Sequence, residues 1–137
     1  MKNSLGKNYF FDAKMGFIGA FAMGVIVYFI NADHDPSGAV IAASKQFFYT
    51  FFIGGFFTKM VENLAITWDD KTLSVFLAIV IPALLTITLT FIMHNLKGTP
   101  EPINSTIPTT FLAPLSFSVW AILKRIEYDK MALEDFV

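Results

Sequence analysis

The chain contains no cysteine, so disulfides, thiolate metal sites, iron–sulfur clusters and cysteine nucleophiles are excluded by inventory. Charge is scarce as well. Asp, Glu, Lys and Arg make up 15% of the 137 residues, against roughly a quarter in a soluble domain of average composition. The net charge of −1 provides no basic footprint of the kind a nucleic-acid surface needs, and nucleic acid is not an expected partner. Motifs that define a reaction class are missing too: there is no Gly-x-Ser-x-Gly elbow, no P-loop glycine–lysine pattern and no His-Glu-x-x-His. No catalytic residue, metal site or cofactor is implied. An intramembrane enzyme would have to draw on His94, Glu101 and Ser105, which share one connection at no diagnostic spacing.

What the sequence does hold is apolar: 55% hydrophobic residues, sixteen of them phenylalanine, and a mean hydropathy of +0.58. Long apolar runs place four membrane spans at approximately 15–31, 38–60, 73–94 and 107–123, each near the roughly 20 residues a helix needs to cross the hydrocarbon core. The expectation is an all-α, polytopic four-span bundle in which one integral membrane domain uses nearly the whole chain. A cleaved signal peptide is the competing reading of the first run. It would need Ile30-Asn31-Ala32 as a poor cleavage site after a long charged lead-in.

Each run has its own character. In the first, Gly16, Ala20 and Gly24 repeat at four-residue spacing and make a stripe on which another helix backbone can approach closely. Pro36 suits a helix start for the second, whose first half is interrupted by Ser44, Lys45, Gln46, Tyr49 and Thr50 before a phenylalanine-rich block. Six of those phenylalanines go most of the way round the helix, so lipid contact and packing are their ordinary use. The third run holds Pro82 at mid-membrane, where a kink is expected, then Thr86, Thr88 and Thr90. Their alternation resembles a strand, but a lone strand in lipid leaves backbone groups unpaired, so the segment is helical. Between the third and fourth spans, residues 94–108 carry Gly98, Pro100, Pro102 and Pro108 and read as a stiff, exposed, proline-rich outer loop. It contains the formal glycosylation sequon Asn104-Ser105-Thr106. The fourth run has Pro114 inside, Trp120 toward an interface and stops at Lys124-Arg125.

Lysine and arginine set the orientation. Lys2, Lys7 and Lys14 precede the first span, Lys59 and Lys71 flank the middle connection, and Lys124 and Arg125 follow the last, leaving Lys97 for the other connections. The positive-inside rule places both termini and the middle connection in the cytoplasm of a cell with this protein in its inner (plasma) membrane.

The candidate ligand-binding residues are Lys45, Gln46, Tyr49 and Glu62, all on the second helix. An ionisable side chain inside a span is costly and marks a functional position by default. A cation here would grip a phosphate or carboxylate in a cleft. The alternative is that Lys45 snorkels to the interface and Glu62 pairs with Lys59 one turn earlier. Thr86, Thr90 and His94 share a helical face and with Glu101 would form a polar track to the outer surface. His34 and His94, with nearby carboxylates, lack the paired spacing of a metal site, so solvated loop positions are expected for both. Two functions fit this pattern. One is transport or binding of a small solute or anionic lipid headgroup by a homo-oligomer in the bilayer. The other is a non-catalytic membrane subunit or assembly factor of a larger complex, docked on other membrane subunits through the Gly16–Ala20–Gly24 stripe and the rigid outer loop.

Overall fold

A computed structural model describes residues 10–96 and 99–134; Lys2, Lys7 and Lys97 of the orientation argument lie outside the described residues. The described chain is helical, with no strand: α1 (Ala13–Ala32), α2 (Pro36–Tyr49), a π-helical turn (Thr50–Gly54), α3 (Gly55–Ala65), α4 (Lys71–Leu96) and α5 (Pro102–Glu134). Because α2, the π turn and α3 run on as one rod, four helical rods are long and apolar enough to cross a membrane. At 1.5 Å per residue they measure roughly 30 to 50 Å.

Local chemistry explains where the helices begin. Asp12 accepts a hydrogen bond from the Met15 N–H at 3.0 Å and caps α1. Asp35 accepts from Ser37 at 3.1 Å, with Pro36 in the first turn of α2. Asp70 accepts from Leu73 at 3.0 Å at the start of α4. In each case a short acidic side chain satisfies an orphan N–H and complements the helix dipole.

The packing is inverted relative to a water-soluble bundle. Buried apolar positions are dominated by small residues, Ala20, Ala39, Ala42, Ala65, Ala78, Ala83 and Ala121, while Phe17, Phe21, Phe29, Phe48, Phe52 and Phe111 face outward. Lipid offers no hydrophobic penalty for exposed phenylalanine, so close backbone approach decides the interior. Gly16 shows this most directly. A Cβ there would lie 2.6 Å from the Phe51 carbonyl oxygen and 3.3 Å from the Gly55 Cα. Larger apolar side chains, Phe57, Val61 and Phe117, fill the space where α3, α4 and α5 meet.

The connection between α4 and α5 differs from the long exposed loop expected over residues 94–108. Helix α4 continues to Leu96 and α5 starts at Pro102, so the sequon lies in the first turns of a helix, with Ser105 fully buried. Proline at a first helical position loses no intrahelical bond, and its fixed φ favours the helix. Pro108 and Pro114 then sit inside α5, as Pro82 does inside α4, an arrangement tolerated where neighbouring groups meet the freed carbonyls. Nor is His94 a solvated loop residue: it is completely buried.

Candidate functional site

One end of the bundle, where the 33–35 turn meets residues 99–101, is tied by two buried polar groups. Asn31, in the last turn of α1, donates to the Val27 carbonyl at 2.8 Å and to the Ser105 Oγ at 2.9 Å, and accepts from the Glu101 N–H at 2.9 Å. It therefore joins α1 to the start of α5. His94 makes the second tie. Its Nε2 lies 2.9 Å from Gln46 Oε1 and its Nδ1 3.1 Å from Thr99 Oγ1, while Gln46 Nε2 donates to Thr50 Oγ1 at 2.9 Å. Because Gln46 offers an oxygen, the ring proton belongs on Nε2 and Thr99 donates to Nδ1; this tautomer is assigned from the network. Lys45, half buried, lies within electrostatic reach of His94.

Below Gln46 the helices part. A cavity of about 320 Å³ lies between α1 and α5, with the α2–π turn–α3 rod and α4 as its floor. Met15, Ile18, Gly19, Ala22 and Met23 form one wall; Leu112, Ala113, Ser116, Phe117 and Trp120 form the other. Ile18 and Leu112 are 52% and 39% exposed, so the cavity opens sideways toward lipid. The π turn contributes directly, because Thr50 and Gly54 line the floor. Such wide turns occur frequently at functional sites.

Polar groups on the floor are few. Gln46 and Thr50 are already paired, and Tyr49 donates its hydroxyl to the Thr86 carbonyl at 3.3 Å beside Thr90. The hydroxyls of Thr86, Thr90 and Thr109 are buried without any hydrogen-bond partner, and all three residues line the cavity. Among the described residues the lining includes no Lys, Arg, Asp or Glu.

The opposite end carries the charges. Lys59 bonds Glu62 at 2.7 Å and lies 3.9 Å from Asp12, and Glu62 accepts from Trp120 Nε1 at 3.1 Å. Farther along, Arg125 donates to the carbonyls of Ala65, Trp68 and Asp69 and to Asp129, closing the C-terminal end of α3.

The structure thus distributes the sequence candidates over three places. Gln46, Tyr49, Thr86 and Thr90 meet at the cavity. His94 lies above it, and Glu101 lies farther out, with its carboxylate 3.4 Å from His34. Lys45 is outside the lining, and Glu62 belongs to the charged cluster. The Gly16–Ala20–Gly24 stripe is buried inside the chain, Gly16 against the π turn and α3, Gly24 against Ala43 and Phe47. Asn31 and Arg125 carry interactions that sequence reasoning passed over, as it did the place of Thr109 in the cavity lining. Among the described residues there is no group of three or more His, Asp or Glu able to hold a metal ion.

Fold and site together define a small integral membrane protein with a laterally open cavity. Compared with family models, curated proteins and solved structures, the chain matches none.

Proposed function

We propose that this protein binds a membrane-borne apolar molecule in the cavity between α1 and α5. The observation that carries the reading is the cavity itself: about 320 Å³, at the lower end of the range that holds small ligands, mostly apolar, and opening in the plane of the bilayer. Its lining runs from Gln46 to Thr58 along one rod and from Thr109 to Trp120 along α5. That length, about 18 Å on the rod and about 17 Å on α5 at 1.5 Å per residue, suits a chain-like ligand entering from lipid. Carriage of the ligand across or out of the membrane, by one copy or several, is the transport form of the same proposal.

The subunit alternative is supported less well, because Gly16, Ala20 and Gly24, one of its two expected docking surfaces, are used within the chain. Lys45 and Glu62 support an anionic-headgroup site less well than the hydroxyl-bearing floor supports an uncharged one, since neither reaches the lining.

The test is native mass spectrometry of the full chain released from membrane nanodiscs, compared with Ala22→Trp and Gly19→Leu. Ala22 is exposed at the mouth, so the indole blocks entry at little packing cost. The expected result is a co-released small molecule of lipid-like mass on the wild type, lost from both variants. Equal ligand retention in all three would refute the cavity as the binding place.

A further inference from the structure

Two groups of hydroxyls contrast. Thr58, Thr67, Thr106, Thr110 and Ser118 each donate to the carbonyl four residues earlier, the local bond such side chains commonly make, at 2.9, 2.7, 2.9, 3.3 and 2.7 Å. Thr86, Thr90 and Thr109 do not, and they are the ones at the cavity. They are 9%, 0% and 4% exposed. A buried hydroxyl left without a partner is costly, and an occupant that supplies one removes that cost.

The other polar atoms on the floor are already engaged. Gln46 Oε1 accepts from His94, Thr50 Oγ1 accepts from Gln46, and the Thr86 carbonyl accepts from Tyr49. The Thr86 and Thr109 hydroxyls have no partner, and that of Thr90 has only the Tyr49 hydroxyl beside it. No charged residue among the described ones lines the cavity to balance an ionised group, and an unbalanced charge at this depth is strongly disfavoured. Thr86 lies within one helical turn of the midpoint of α4, so the polar spot is near the middle of the membrane.

We propose that the cavity takes a membrane amphiphile whose polar end is an uncharged carbonyl, seated against Thr86, Thr90 and Thr109, with its hydrocarbon leaving between α1 and α5. This rests on the cavity being a binding site, as proposed above. A carbonyl oxygen accepts two hydrogen bonds and brings no donor of its own. An alcohol must place its own proton as well, which spends one of the threonine oxygens as an acceptor, whereas a carbonyl takes up threonine protons and needs nothing in return. Two sources share the chemistry: the ring carbonyl of an isoprenoid quinone and the ester carbonyl of an acyl lipid.

The test uses the full chain in detergent with Trp68→Phe, so that emission reports on Trp120, which lines the cavity. The probes are decyl-ubiquinone, methyl dodecanoate, dodecanol, dodecanoate and dodecane. Binding of either carbonyl probe at least tenfold tighter than dodecanol and dodecanoate, reduced three- to tenfold by Thr90→Val or Thr109→Val with dodecane unaffected, is the expected result. Preference for the quinone or for the ester assigns the source. Binding of dodecane or dodecanol as tightly as the carbonyl probes overturns this inference while leaving the cavity reading intact. Binding of no probe, with the hydroxyls served by water alone, overturns both.

Discussion

Replacing Arg125 with methionine keeps much of the apolar stem and removes every guanidinium bond, which makes the variant a clean measure of what that group does. The side chain is 7% exposed and reaches three carbonyls at 3.3, 2.8 and 3.2 Å as well as Asp129. Those partners do not suffer equally. Trp68 keeps the bond its carbonyl receives from Ser74 Oγ at 3.1 Å, Asp129 keeps Lys71 at 2.7 Å, and Asp69 is exposed to solvent. Ala65 is fully buried, so its carbonyl loses the guanidinium bond with no access to water. One orphaned buried carbonyl together with the lost charged bonds costs about 2–3 kcal/mol. The assay is SDS titration of the folded protein in mild detergent, followed by helical circular dichroism. Arg125→Lys should recover less than half of the loss, because one ammonium cannot span carbonyls set for a planar fork. A methionine variant within about 0.5 kcal/mol of wild type, the range of an ordinary surface substitution, would refute the reasoning, as would full recovery by lysine.

Further outcomes follow from the same geometry. Asn31→Leu leaves the Glu101 N–H and the Ser105 hydroxyl without their partner and should destabilise the protein by about 2–4 kcal/mol in the same titration; a neutral effect would show that Asn31 does not tie α1 to α5. Gly16→Leu drives a side chain into the Phe51 carbonyl and should abolish folded yield, whereas Gly19→Ala, whose Cβ would meet Thr50 Cγ2 at 3.4 Å, should fold normally. Equal yields from the two would refute the close contact at Gly16. In nitrogen-15 NMR, His94 should show a protonated Nε2 and a bare Nδ1, the tautomer its partners require; the opposite tautomer would mean that the Gln46 amide is reversed. Thr109→Val removes an unpartnered hydroxyl and should stabilise the ligand-free protein by up to about 1 kcal/mol; destabilisation would reveal a partner for that hydroxyl.

The number and helical character of the spans were legible because lipid imposes a compositional demand that survives any detail of packing. One helix start was legible because a proline marks it, at Pro36. Proline was misleading at residues 102–108, since its meaning depends on whether it opens a helix or interrupts one. The polar interior was the least legible part. His94 finds Gln46 across 48 residues and Asn31 finds Ser105 across 74, separations that no local periodicity reports. Arg125 read as an orienting charge at the end of a span, and its position in sequence carries no sign of the three carbonyls it holds. The π turn likewise leaves no periodic signature, because the small residues Gly54 and Gly55 suit tight packing as well as a wide turn.

That wide turn also sets a phase relation between the two parts of its rod. A π turn accommodates one more residue than the α-helical path would, so the helices on either side keep the phase they would have around a regular turn one residue shorter. Removing one residue from Thr50–Gly54 would relax the turn to α-helix and leave Gln46 facing His94 and Tyr49 facing Thr86. A residue removed elsewhere in the rod, with no wide turn to absorb it, would rotate Pro36–Tyr49 by about 100° relative to Gly55–Ala65. The five-residue segment is thus the place where the rod can change length without changing which side of it faces the cavity.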